Sequence, residues 1–224
     1  MNELTHKNFI FEEVCYEFYG MLNEHIFMQI PWYEHELLNY IKNLNLNGVY
    51  VDVGANIGNH SLFFLNHCKS TKLYCFEPEN FCYETLNKNL IKNTEKEYVL
   101  NKLAIWNREA NLMLIRFKSF NNTGMSKVIE ADENNVKELS IQANSLDNII
   151  SFNENVVLIK IDAEGGESKI LEGAEKIIRL NMPIIICEAA TESEFNEINK
   201  ILIPWGYRMP TQRFNATPTY VWNK

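Results

Sequence analysis

The stretch Val49-Tyr50-Val51-Asp52-Val53-Gly54-Ala55-Asn56-Ile57-Gly58 constrains this chain more than any other. It reads as a buried strand, then a glycine turn, then the start of a helix. A Gly-x-x-x-Gly turn lets backbone approach a ligand where a side chain would collide. The helix beyond it points free N–H groups into the turn. Phe76-Glu77-Pro78 closes a second apolar run with an acid. A carboxylate at that spacing is placed to bind the two hydroxyls of a ribose. Together these features imply a nucleoside-containing cofactor.

The rest of the chain alternates between strand and helix patterns. Strands are expected at about 48–53, 72–77, 97–101, 111–117, 156–161 and 184–188, with helices at about 58–68, 79–92, 167–180 and 192–202. A short strand and a helical turn are expected within 141–150, and loops over 119–126 and 130–138. Residues 207–209 and 219–222 suit a terminal antiparallel hairpin. This is an α/β fold: a doubly wound, mostly parallel sheet of Rossmann-like type. With a terminal hairpin it has the arrangement of a class I methyltransferase. Residues 1–45 read as a helical or irregular N-terminal extension, either packed on the sheet or acting as a lid. Residues 46–224 read as the cofactor-binding domain.

The net charge of −8 disfavours a bulk nucleic-acid surface. The five cysteines form no CxxC pair and no zinc spacing, and their odd number fits reduced thiols in a cytoplasmic protein. There is no apolar stretch of roughly 18 residues, so no transmembrane segment is expected. A homo-oligomer is compatible with this composition.

Asp52-x-Gly54-x-Asn56-x-Gly58 lacks the third glycine of the dehydrogenase fingerprint at its required spacing. Asp52 also places a carboxylate beside the turn. That carboxylate suits the methionine ammonium of S-adenosyl-L-methionine, directly or through water, and opposes the pyrophosphate of NAD. The expected cofactor-binding set is Asp52, Gly54, Asn56, Gly58, Glu77 and Pro78, with Ala104 (in Ala104-Ile105-Trp106) against adenine.

With the motif 158–167 (Leu-Ile-Lys-Ile-Asp-Ala-Glu-Gly-Gly-Glu), Leu171-Glu172-Gly173-Ala174, Ser145-Leu146-Asp147 and Pro183 to Glu188, the chain resembles the FkbM-type methyltransferases from about residue 48 to 190. The resemblance implies S-adenosylmethionine-dependent O-methylation, commonly of sugar or polyketide hydroxyls. Gly166 departs from the family, which more often carries a small side chain such as alanine there. The uncovered N-terminus and tail are then expected to set the acceptor.

The residues make their own case for chemistry. Asp162 ends a central strand, where ligands of doubly wound sheets bind, and Glu164 follows in the loop. Both are expected to organise or deprotonate an acceptor hydroxyl. Lys160 interrupts a buried run, needs a carboxylate partner (Asp162, Glu188 or another) and is expected to organise the catalytic site. Glu188 ends the next strand and is expected to face the same crevice and join the catalytic group, while Glu167 either joins the site or serves the helix dipole. His60 either positions substrate or packs. Asn121, Asn122 and Ser126 either bond a sugar or make turns. No metal is expected; Mg²⁺ on the acids is the alternative, and no histidine cluster supports zinc. The leading expectation is a sugar or nucleotide-sugar O-methyltransferase in surface-glycan biosynthesis. The alternatives are a polyketide, lipid or other small-molecule acceptor, or a cofactor-binding module without its own catalysis. RNA is disfavoured by charge and by the lack of an Asn-Pro-Pro-Tyr-type motif.

Overall fold

The computed structural model describes residues 4–22, 25–115, 127–130 and 139–224. It opens with β1 (Leu4–Phe11) and β2 (Val14–Met21), an antiparallel hairpin where helical or irregular chain was expected. The period-two placement of Phe9, Phe11, Tyr16 and Phe18 is a strand pattern. It is hidden because the turn residues Glu12 and Glu13 take left-handed φ values of 46° and 68° without the Asn-Gly chemistry of such turns. Helices α1 (His25–Met28) and α2 (His35–Leu44) follow.

The alternating body then runs β3 (Gly48–Val53), α3 (Asn59–His67), β4 (Ser70–Phe76), α4 (Asn80–Asn93) and β5 (Tyr98–Asn101). Next come β6 (Ala104–Ile105), β7 (Ala110–Ile115), β8 (Lys127–Glu130), β9 (Leu139–Asn144) and α5 (Leu146–Ile149). The chain closes with β10 (Val156–Ile161), α6 (Glu167–Glu172), α7 (Glu175–Asn181), β11 (Ile184–Glu188), α8 (Glu192–Leu202), β12 (Arg213–Phe214) and β13 (Thr219–Trp222).

The main sheet has seven strands in the order β12-β13-β11-β10-β3-β4-β5. From β11 to β5 all neighbours are parallel; β13 runs antiparallel to β11 and β12. The winding reverses between β3 and β10, so a crevice opens at their carboxyl ends. A smaller sheet, β6-β9-β7-β8, stands beside it.

Alternate residues of β3 serve opposite cores. Val49, Val51 and Val53 pack with Ile159, Ile161 and the helices α5 to α8. Tyr50 packs with Leu158, Leu73 and helices α2 to α4. Tyr16, Phe18, Phe27 and Trp32 belong to that second core, so the N-terminal segment covers one face of the sheet. Asparagines of α4 tie the hairpin down. Asn89 accepts from Tyr19 N at 2.7 Å and donates to Tyr19 O at 3.0 Å, and Asn93 makes the same reciprocal pair with Glu17. Their side-chain amides take the place of a neighbouring strand.

Two expectations shift locally. The helix expected over 167–180 is split at Gly173, where a Cβ would lie 2.1 Å from Trp106 O. Asp147 then caps the second half by accepting from the N–H groups of Lys176 and Ile177. The first arm of the terminal hairpin is Arg213–Phe214 rather than 207–209. Tyr207 is instead buried, with its hydroxyl donating to Pro183 O at 2.7 Å. The loop residues 119–126, including Asn121, Asn122 and Ser126, and the acidic 131–138 lie outside the described residues.

Candidate active site

A cavity of about 360 Å³ occupies the crevice at the carboxyl ends of β3, β4, β10 and β11. Its floor is the turn after β3. Gly54 has φ 74°, and a Cβ there would lie 1.8 Å from Asp162 O, so only glycine fits. The N–H groups of Gly54 and Ala55 both donate to Phe76 O, which stitches the turn to β4. Asn56, also left-handed at φ 49°, donates its N–H to Glu77 Oε2 at 2.9 Å. Its own Oδ1 accepts from Ile57 N at 2.7 Å.

Glu77 Oε1 accepts from Glu79 N at 2.9 Å, so both carboxylate oxygens are anchored by backbone. Burial pushes the Glu77 pKa up to about 7, against the pull of those two N–H groups. Glu77, Pro78 and Ala104 line the cavity, with Gly54 and Asn56. Gly58 does not: at φ 95° it packs where a Cβ would meet Leu86 Cδ1 at 2.6 Å.

The floor rests on a buried ion cluster. Lys160 is the in-register neighbour of Asp52 across β10 and β3. Its Nζ lies 3.3 Å from Asp52 Oδ1 and 3.3 Å from Asp162 Oδ2, and donates to Gly54 O at 3.2 Å. Burial opposes the charge on Lys160, but Asp52 and Asp162 outweigh it and raise its pKa. Asp52 is fully buried and accepts from Ser61 Oγ at 2.7 Å. It does not line the cavity. The structure therefore places Asp52 under the turn, on the ammonium of Lys160, and not at the position foreseen for a cofactor ligand.

Asp162, Glu164 and Glu188 do meet in the cavity wall, with Lys160. Burial, then the charges of Asp162, Glu164 and Glu167, push the Glu188 pKa up to about 9, and Glu188 hydrogen-bonds Asp162. Glu167 turns away from this group. Its Oε1 accepts from Ala163 N and Gly165 N, both at 3.1 Å, and clasps the loop.

Three wall residues carried little or no signal in the sequence. Tyr33 and Glu34 line the cavity from the N-terminal segment, and His60 lines it from α3. Asn59 clips them together, accepting from Tyr33 N and donating to Tyr33 O, both at 3.1 Å. Their spacing spans two distant segments, so no local motif could have paired them. Trp106 also reaches the cavity; a Cβ on Gly166 would lie 3.0 Å from its Cζ3.

The description of the methyltransferase FkbM domain matches residues 52–209, which hold the glycine turn, Glu77 and the whole ion cluster. The chain belongs to the FkbM methyltransferase family. Methyltransferase sdnD of Sordaria araneosa is 25% identical to it over 167 residues, 61% of this chain and 64% of that protein. Ribosomal RNA small subunit methyltransferase H of Spiroplasma kunkelii is 34% identical over 79 residues, 35% of this chain and 25% of that protein. A crystal structure of methyltransferase FkbM from Methylobacillus flagellatus has the same fold, with a TM-score of 0.61 at 17% identity over 80% of this chain and 44% of that one. This FkbM chain thus spans less than two thirds of each of those proteins.

The cavity of this FkbM domain fits S-adenosylmethionine. The glycine floor leaves room that a side chain would fill, and Glu77 offers remaining lone pairs to ribose hydroxyls. Among the described residues no group of three or more His, Cys, Asp or Glu is arranged to hold a metal, and no helix is long and apolar enough to cross a membrane.

The raised pKa of Glu188 has a consequence for stability. Its carboxyl keeps a proton in the fold to about pH 9, against an ordinary value of 4.5. The stability tied to that proton is complete below the ordinary value and is lost as pH rises to 9. Glu188→Gln mimics the protonated form. It should match the parent near pH 5 and exceed it by about 1–2 kcal/mol near pH 9, an increment discounted for partial exposure. Melting curves at the two pH values check this; an equal gap at both would refute it.

Proposed function

We propose that this FkbM domain methylates a hydroxyl of a sugar or nucleotide sugar, in surface-glycan biosynthesis. The observation that carries this reading is the continuity of one cavity from Glu77 to the carboxyl group of residues Asp162, Glu164 and Glu188. S-adenosylmethionine would supply an electrophilic methyl on sulfur. Gly54, Asn56, Glu77, Pro78 and Ala104 would hold it, with Glu77 on the ribose. Hydroxyl groups donate well to carboxylates, and several converging acids suit a polyol. Asp162, Glu164 and Glu188 would orient the acceptor, while Lys160 keeps Asp162 in place. Orientation is the main task, because oxygen, methyl and sulfur must align for in-line displacement.

The Spiroplasma relative offers a second reading, a nucleic-acid acceptor. The net charge of −8 and the acid-rich wall oppose a polyanion.

Calorimetry tests the cofactor half. S-adenosylmethionine and S-adenosylhomocysteine should bind with micromolar affinity, and NAD should not. Glu77→Ala should weaken binding by about 1–3 kcal/mol, roughly 5- to 150-fold. Unchanged affinity would remove Glu77 from the site. Methyl transfer from labelled cofactor to glycans, and not to ribosomal RNA, tests the acceptor half; label in RNA would overturn it.

A further inference from the structure

We infer that Glu34 holds the ammonium of the cofactor's methionine arm. Glu34 thereby completes the S-adenosylmethionine reading above, on which this assignment rests. A methionine end that is both cationic and anionic needs an acid for its ammonium. Asp52, the acid expected there, is fully buried under the turn on Lys160 and does not line the cavity. Another carboxylate in the cavity wall must take its place, because a cation removed from water without a partner is costly. The wall offers Glu34, Glu77, Asp162, Glu164 and Glu188.

The sheet order β11-β10-β3-β4-β5 sorts these acids. Glu77 follows β4, where it suits the ribose. Asp162 and Glu164 follow β10, and Glu188 ends β11. These three form one group. Asp162 lies 3.3 Å from Lys160 Nζ, and Glu188 hydrogen-bonds Asp162. Burial, then the charges of Asp162, Glu164 and Glu167, raise the Glu188 pKa, so Glu164 belongs with them on the acceptor side. Glu34 stands apart. Its Oε2 lies 3.2 Å from Nε2 of His60, in the first turn of α3 two residues beyond Gly58. That sets its carboxylate at the α3 end of the glycine floor. In S-adenosylmethionine the methyl-bearing sulfur lies between the ribose and the amino-acid arm. The arm therefore needs an acid distinct from the ribose acid and from the acids at the acceptor, and Glu34 is placed as that third acid.

Glu34 is held there and not used up. It precedes α2 with φ 59° and ψ 38°, and its side chain does not cap the helix. Left-handed backbone at a bulky residue persists only where surrounding structure enforces it, and such residues gather at functional sites. The reciprocal Tyr33–Asn59 clip fixes this segment against α3. Nε2 of His60 is buried and has no hydrogen-bond partner among the described residues, so the ring marks where the carboxylate sits without satisfying it. The Tyr33 hydroxyl does donate to Glu34. A carboxylate has about four lone-pair sites, so capacity remains for an ammonium. Lys160 makes its ion pairs, among the described residues, with Asp52 and Asp162 and not with Glu34. The side chain of Glu34 is 11% exposed, which shelters a charge-assisted contact from water and salt. Fixing the arm in this way would orient the methyl toward Asp162, Glu164 and Glu188.

Calorimetry on the full chain tests this with two ligands. S-adenosylhomocysteine is compared with its desamino analogue, the 3-carboxypropyl thioether of adenosine, which lacks only the amino group. The parent should prefer S-adenosylhomocysteine by about tenfold or more. Glu34→Gln should erase that preference, weakening S-adenosylhomocysteine about tenfold and leaving the analogue within about twofold of the parent. A merely structural role for Glu34 would weaken both ligands alike. Glu77→Ala should also weaken both, because both carry the ribose. Equal loss of the two ligands in Glu34→Gln, or a preference that survives there, overturns the assignment. So does a preference erased by Glu164→Gln, which would move the ammonium to the acids after β10. Equal affinity of the parent for the two ligands overturns it without any variant. Failure of the parent to bind S-adenosylhomocysteine at all overturns the S-adenosylmethionine reading itself.

Discussion

Lys160→Met should destabilise the fold by about 3–5 kcal/mol, because it strips two carboxylates of their shared cation. Asp52 suffers most. It is fully buried and, among the described residues, would keep the Ser61 hydroxyl as its hydrogen-bond donor, so an uncompensated charge would remain between β3 and β10. At roughly 2–4 °C per kcal/mol for a chain of this size, the melting temperature should fall by about 6–20 °C. The double variant Asp52→Asn/Lys160→Met should recover most of that loss, since it removes the buried charge along with its partner. Denaturant titrations of parent, single and double variants measure both steps. A single variant within about 1 kcal/mol of the parent would mean that the cluster does not hold the central strands together.

The cluster also shows where sequence reading succeeds and where it stops. Lys160 stands out because a cation inside an apolar run needs a carboxylate partner, and Asp162, one of the partners expected, lies 3.3 Å from its Nζ. The second partner, Asp52, was instead assigned to the cofactor. The reason is physical: a strand buried on both faces has no polar side, so its pattern does not tell which way a given residue points. The pairing register settles it by setting Asp52 opposite Lys160.

The central strands were legible for the same reason that their side-chain directions were not, since continuous apolar runs mark position without marking face. The N-terminal hairpin was illegible because Glu12 and Glu13 make its turn. Its tethers, Asn89 and Asn93, are ordinary polar helix residues until β2 lies against them. Glu34 Oε2 and His60 Nε2 come within 3.2 Å of each other beside the Tyr33–Asn59 clip, an approach that no local spacing encodes. What remained hidden was therefore what depends on contacts between distant segments.

Gly54→Ala should have the most complete effect on the site. The added Cβ would sit 1.8 Å from Asp162 O, well inside contact distance. Neither backbone can yield cheaply. Asp162 N donates to Val53 O at 3.1 Å, and the N–H groups of residues 54 and 55 are bonded to Phe76 O. The φ of 74° adds about 1–2 kcal/mol of its own for any residue with a Cβ. The expected outcome is a loss of at least about 3 kcal/mol in stability and no detectable binding of S-adenosylmethionine. Gly206→Ala separates the two causes. It carries the same conformational cost at φ 101°, yet its Cβ would meet only Met182 Cε at an ordinary 3.6 Å. That variant should lose about 1–2 kcal/mol and bind the cofactor as the parent does. If Gly54→Ala behaved like Gly206→Ala, the close approach of β3 and β10 would not shape the cofactor floor. If it lost binding while keeping its stability, the clash would be relieved by opening the turn, and the floor would serve the ligand more than the fold.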